Sequence, residues 1–239
     1  MKPRDGVLTP ARFARGMTID QYLAYIGSPE NLARESDWWL GKERKDLSDI
    51  VRPWYERARL SDAQRDAIRW LAAQPDGPAH ILVISEEWSS DCRRDVPILA
   101  RLAEAGGMEL RIFTRDGARA AKGPRSDPAE SPNADLVNEF LNEKDGQTWQ
   151  SVPVAAFYTR DFRYLYHYIE FPAIYHKMRL AKAMQRPKPG EATPEATWDR
   201  FIVDWRQLQS SPFPMLWASA AIGEMLSALH ERLLVGPPA

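Results

Sequence analysis

The feature that most constrains the fold is a run of branched apolar residues, Ile81-Leu82-Val83-Ile84, in the middle of the 239-residue chain. A strong break, Pro75-Asp76-Gly77-Pro78, precedes it. Four consecutive apolar residues have no polar face, so the run predicts a strand, His80–Ser85, that is buried on both faces. Strands of this kind are typical of sheets that helices cover on both sides.

The segments after this strand alternate between helical and extended patterns. They predict a loop over 86–91, a helix from Cys92 to Ala105 closed by Gly106-Gly107, a strand over 108–114, a loop over 115–132, a short helix over 134–141, and strands over 151–159 and 162–169. The last two strands are joined by the short link Thr159-Arg160-Asp161, which favours an antiparallel hairpin. The order β-α-β-α-β-β-α predicts an α/β unit with a mixed sheet.

Both ends of the chain are predicted to be helical. Thr18 and the pair Ser61 and Gln64 have the spacing of helix N-caps within residues 9–73. Toward the C-terminus we expect a helix over 171–185, a linker over 186–197, and two helices over 198–234 broken near 210–214. We therefore expect a helical N-terminal extension over 1–77, an α/β domain over 78–185 and a helical C-terminal extension over 186–239 that packs on the core.

Charge and cysteine content exclude several classes of function. The chain has 32 basic and 33 acidic residues and a net charge of -1, so it has no general field to attract nucleic acid or an anionic membrane.

A long apolar run and a signal peptide are both missing, which makes the cytoplasm the expected location. One cysteine, Cys92, excludes an intrachain disulfide, and the four histidines lack metal-ligand spacing. We expect no metal and no cofactor, and the oligomeric state stays open.

The segment Trp88-Ser89-Ser90-Asp91-Cys92 joins the buried strand to the next helix. A thiol at the start of a helix faces unpaired N–H groups and the positive end of the helix dipole, which lowers its pKa. Asp91 is expected to cap the helix that begins at Cys92. A lone cysteine is equally often a small buried apolar residue.

This arrangement resembles the thioredoxin family. The matching features are the strand, Trp88, Cys92, a proline five residues later (Pro97), and Val152-Pro153 at the start of a later strand. The resemblance is to bacterial thioredoxin-like proteins with a Trp-Cys-Gly-Asp type of loop. It implies a thioredoxin-like fold with helical extensions, a cis-proline at Pro153 beside the site, and thiol–disulfide exchange as the family's chemistry.

The resemblance also implies residue roles and two departures from the family pattern. Trp88 would form the wall of the loop, and Asp91, Val152 and Pro153 would contact the substrate, with Pro153 guiding its backbone. Ser89 occupies the position of the attacking cysteine, and an alcohol has no sulfur to be oxidised. Cys92 occupies the resolving position, and Val83 stands where family members carry a buried acid. Dithiol redox activity is therefore expected to be weak or absent.

Three alternatives remain open at this stage. The protein is a non-catalytic module that binds a peptide or small molecule or acts as a scaffold, or it resembles glutathione transferases and uses Ser89 to stabilise the thiolate of glutathione. The third alternative is reversible oxidation or glutathionylation of Cys92. The expected partner is a protein thiol or disulfide, or glutathione.

The charged and aromatic residues around the loop favour ordinary structural roles. Glu86 and Glu87 are expected to be solvated, and Arg93 and Arg94 to lie on the surface. The alternating tyrosines of 162–168 are expected to pack under a flanking helix. Most tryptophans of the outer thirds are expected to anchor helix packing rather than stack on a ligand, namely Trp38, Trp39, Trp54, Trp70, Trp198, Trp205 and Trp217.

Overall fold

A computed structural model describes residues 8–36, 43–191 and 193–236. Its helices are α1 Pro10–Phe13, α2 Ile19–Ile26, α3 Pro29–Leu32, α4 Ser48–Arg57, α5 Asp62–Ala72, α6 Ser90–Gly106, α7 Ala134–Val137, α8 Lys177–Met184, α9 Pro194–Ser210 and α10 Phe213–Val235. Its strands are β1 His80–Ser85, β2 Glu109–Thr114, β3 Asn142–Lys144, β4 Gln147–Trp149, β5 Val154–Tyr158 and β6 Tyr164–Ile169.

The central sheet has the strand order β2-β1-β5-β6. β1 pairs in parallel with β2 and antiparallel with β5, and β5 and β6 form the antiparallel hairpin that the sequence predicts. The run Ile81–Ile84 is buried on both faces, with at most 1% of any of these residues exposed. This mixed sheet, flanked by helices, is a thioredoxin-like fold with helical extensions.

Helix α6 lies at the centre of the helical packing. It contacts β1 and β2, and α4, α5 and α10 all pack against it. One hydrophobic cluster contains Phe13 and Ile68 from the N-terminal helices, Leu99 from α6, and Ile222 from α10. The division at 77/78 and 185/186 stays a prediction, although this cluster draws on all three parts.

Several element boundaries differ from the sequence predictions. α6 begins at Ser90 rather than Cys92, α7 ends at Val137, α8 begins at Lys177, and α9 begins at Pro194, because Thr193 caps it within the predicted linker. The small β3–β4 hairpin was not predicted, because its strands have only three residues each, although its turn at Asp145-Gly146 is typical of hairpins.

The aromatic residues divide between packing and exposure. Tyr168 is buried, while Tyr164 and Tyr166 pack against the main core, and α10 contacts β6, as predicted. Trp205 and Trp217 form a second cluster with Tyr175 and Phe201. Trp70 is 51% exposed, and its ring contacts that of His230 on α10 edge to face, with the ring centres 5.6 Å apart. Trp38 and Trp39 lie outside the described residues.

Two features of the described residues bear on the function classes. No helix within 8–36, 43–191 and 193–236 is long and apolar enough to cross a membrane. Across those same ranges, no group of three or more histidine, cysteine or acidic side chains could hold a metal ion.

Candidate functional site

The loop after β1 leads directly into the 17-residue helix α6. Ser89 is the N-cap residue, and its side chain makes no capping hydrogen bond. The capping role predicted for Asp91 is wrong, because the helix begins one residue before it and its carboxylate binds cations instead. Gly107, with a positive φ of 62°, ends the helix in the left-handed conformation that glycine adopts without steric cost.

Cys92 lies in the first turn of α6 with 1% of its surface exposed. The backbone N–H of Glu86 donates a hydrogen bond to its sulfur over 3.4 Å. Burial raises the pKa of this thiol to about 12, and hydrogen bonds from Ser85 and Ser89 only partly oppose that shift. The expectation that a helix start lowers this pKa is therefore wrong at Cys92, because desolvation of the thiolate is the larger effect.

Trp88 lies within this loop, and the Val152-Pro153 pair directly precedes β5. The indole of Trp88 is 8% exposed, and its Nε1 donates a hydrogen bond to Asp116 over 3.1 Å. The Val152–Pro153 peptide bond is cis. Because Val154 pairs with Ile84 in the sheet, Pro153 lies at the end of β1 where the loop begins.

A buried ionic cluster follows Asp91 along α6. The guanidinium of Arg94 binds Asp91 at 2.7 Å and both oxygens of Asp95 at 2.7 Å, and it also donates to the backbone oxygen of Glu170. Lys177 of α8 pairs with the second oxygen of Asp91. Arg94 is 3% exposed, so its predicted surface position is wrong. Burial raises the pKa of Asp95 to about 6 despite the neighbouring guanidinium.

A second buried cluster lies beneath the loop itself. Glu86 and Glu87 are 0% and 1% exposed, so the expectation that they are solvated is wrong. Arg44 binds Glu87 through both carboxylate oxygens, at 2.7 and 2.8 Å, and Glu86 at 3.0 Å. Arg34 binds the other oxygen of Glu86 at 2.7 Å. Buried carboxylates need such partners, because an unpaired buried charge is strongly destabilising.

The residue Asp116 connects this cluster to Trp88. Its backbone N–H donates to Glu86, and its carboxylate accepts from Trp88 and from Arg115. The guanidinium of Arg115 lies 5.1 Å from the centre of the Trp88 ring. Asp116 and Arg115, which follow β2, thus hold the indole in place.

An open cleft of about 740 Å³ lies beside Trp88 and the start of α6. Its apolar lining comes from α4 and from α9 and α10, namely Ile50, Trp54, Ile202, Trp205 and Met215. Its cationic lining consists of Lys45, Arg57, Arg93, Arg94 and Arg206.

The sequence predictions missed this cleft because its walls lie more than a hundred residues apart in the chain. The available signal was the spacing of Ile202, Trp205 and Gln209, and of Ile50, Trp54 and Arg57, each on one face of a helix. Of the predicted site residues, Trp88 lines the cleft, whereas Cys92 does not.

Comparisons with known proteins bear on the fold. A family model described as thioredoxin matches residues 40–126, which include β1, the loop with Trp88 and Cys92, α6 and β2. No curated protein matches the chain.

Two solved structures resemble the chain over most of its length. One is a protein of unknown function from Pseudomonas aeruginosa, with 14% identity and a TM-score of 0.48. The other is an HIV epitope scaffold, with 14% identity and a TM-score of 0.46. Each comparison covers 93% of this chain and 98% of the other. From the sheet order and the family match, the chain contains a thioredoxin-like domain.

Proposed function

We propose that this protein is a thioredoxin-like binding module that has lost dithiol exchange and binds a ligand in the cleft beside Trp88. The burial of Cys92, the chain's one thiol, is the observation that supports this most directly. Exchange requires a thiolate that can reach a substrate disulfide. Cys92 is 1% exposed and has a raised pKa, so neither requirement is met.

Ser89 supports the same proposal. It stands where the resemblance places the attacking cysteine, and its hydroxyl cannot form a mixed disulfide. It is 8% exposed, so its hydroxyl has little access to a substrate in solution. Activation of glutathione by Ser89 would require its hydroxyl to reach a bound thiolate, and the low exposure of Ser89 disfavours that role. Glutathione or a protein thiol as partner, a cytoplasmic location and the bacterial type of loop stay predictions.

An insulin-reduction assay with dithiothreitol tests the loss of exchange. We expect the wild-type protein to leave the rate of insulin precipitation at the level of dithiothreitol alone. Ser89→Cys is the matched variant, and we expect it to form an internal disulfide on oxidation, because residue 89 is the N-cap of α6 and Cys92 lies three residues later in its first turn. Acceleration of insulin reduction by the wild-type protein would contradict the proposal.

A further inference from the structure

The walls of the cleft are largely apolar on the sides formed by α4 and α9. Ile50 and Trp54 of α4 face Ile202 and Trp205 of α9 across it, and Ile50 is 45% exposed although it is large and apolar. The volume of about 740 Å³ lies within the range of pockets that hold small organic ligands. An apolar body of that size fits between these helices.

The lining of the cleft has an excess of positive charge. Lys45, Arg57, Arg93 and Arg206 line it, and none of them has a carboxylate within ion-pair distance in the part of the chain that the structure describes. Glu43 is the one acidic residue among the lining residues described. This excess of cations contrasts with the near-neutral charge of the whole chain.

Arg93 is held ready for a ligand. Its Nη1 donates to the backbone oxygens of Glu87 and Trp88, both at 2.8 Å, which fixes the guanidinium at the cleft. Its Nε and Nη2 make no hydrogen bond to any residue within 8–36, 43–191 and 193–236, and they are available to an acceptor. A fixed guanidinium with free donors is suited to a carboxylate or phosphate.

The start of α6 also favours the binding of an anion. Ser90 lines the cleft, and the N-cap side chain of Ser89 leaves the first amide groups uncapped. Asp91, the acidic residue in the first turn of α6, forms ion pairs with Arg94 and Lys177, which neutralise its charge. The positive end of a 17-residue helix therefore adds to the field of Arg93.

We infer that the cleft binds an amphipathic organic anion, with its acidic group at Arg93 and the start of α6 and its apolar body between α4 and α9. This inference rests on the proposed function, since it names the ligand class of the same cleft. Arg206 and Arg57 lie on the two flanking helices, where they favour the approach of an anion over that of a cation.

Isothermal titration calorimetry with three probes of equal chain length tests the inference: decanoate, decanol and decyltrimethylammonium. We expect saturable one-to-one binding of decanoate and at least roughly tenfold weaker binding of the other two, because they lack the charge-assisted hydrogen bonds. Arg93→Gln is expected to weaken decanoate binding about tenfold and Arg206→Gln about threefold. The control Arg179→Gln, on the exposed side of α8, is expected to change it less than about twofold.

Each outcome bears on a different claim. Equal affinity for decanoate and decanol, or unchanged decanoate affinity in both Arg93→Gln and Arg206→Gln, would overturn the anion inference and leave a binding cleft standing. If Arg93→Gln does not fold by circular dichroism, Arg206→Gln against Arg179→Gln decides. No saturable binding of any probe would overturn the inference together with ligand binding by the cleft, whereas loss of dithiol exchange is judged separately by the insulin assay.

Discussion

The sulfur of Cys92 accepts a hydrogen bond from the backbone nitrogen of Glu86 at 3.4 Å, while the side chain of the same Glu86 binds Arg34 and Arg44. One loop residue thus joins the buried thiol to the ionic cluster beneath the loop. Movement of Cys92 toward solvent would disturb the ion pairs that Glu86 makes with Arg34 and Arg44. This coupling gives a physical reason for a thiol that is kept unreactive.

The role of Arg44 can be tested by removing it. Arg44→Ala leaves Glu86 and Glu87 buried without one of their cations, and we expect the free energy of unfolding to fall by about 3–5 kcal/mol. Arg69→Ala, at a 62% exposed side chain on α5, is the control and should change it by less than about 0.5 kcal/mol. Urea unfolding followed by circular dichroism measures both, and equal small effects would show that the cluster does not hold the loop.

Two glycines make a matched pair. A Cβ at Gly117 would lie 1.7 Å from the backbone oxygen of Glu130, so Gly117→Ala must displace the loop after β2 and should cost about 1–3 kcal/mol. A Cβ at Gly223, inside α10, meets nothing within 4 Å, so Gly223→Ala should stabilise the protein by about 0.5–1 kcal/mol. Thermal and urea unfolding of the two variants should shift in opposite directions; a shift in the same direction would contradict the packing described.

His167 should make stability depend on pH. Burial lowers the pKa of His167 to about 4, and its Nδ1 lies 2.6 Å from the hydroxyl of Tyr164. The unfolded chain, in which the pKa is about 6.5, therefore binds more protons between pH 4 and 6.5. The contribution of His167 is present in full above pH 6.5 and is lost as the pH falls through this window, by on the order of 2–3 kcal/mol.

Comparison of variants isolates this contribution. The difference in unfolding free energy between wild type and His167→Gln, measured in urea from pH 4 to 7.5, should grow with pH up to about 6.5 and then level off. His230→Gln, at an exposed position on α10, is the control and should leave the slope of the wild type unchanged. A pH-independent difference for His167→Gln would mean that the imidazole titrates normally in the folded protein.

Local patterns predicted most of the fold. The N-cap at Thr18, the capping box at Ser61, the buried run Ile81–Ile84 and the short link between β5 and β6 depend on neighbours within a few residues, and each appears in the structure as predicted. The small β3–β4 hairpin was missed although Asp145-Gly146 is a hairpin turn signal, because three residues in each strand are too few to establish a period.

The residues that surround the candidate site could not be predicted from local sequence patterns. Arg34 and Arg44 lie 52 and 42 residues before Glu86, and nothing near Glu86 in the sequence indicates that they reach it. Paired acids in a loop are usually solvated, so the sequence favoured the wrong environment for Glu86 and Glu87. The two walls of the cleft lie even further apart in the sequence, by more than a hundred residues, which explains why the motif residues were found and the pocket beside them was not.

The most direct test of the account is the accessibility of Cys92 to a thiol reagent. With a pKa of about 12 and 1% exposure, its thiol should remain unmodified by iodoacetamide in the native protein at pH 8 and should take up one label after denaturation in urea, as read by mass spectrometry. Rapid stoichiometric labelling of the native protein would contradict the account, because it would restore Cys92 as a reactive thiol.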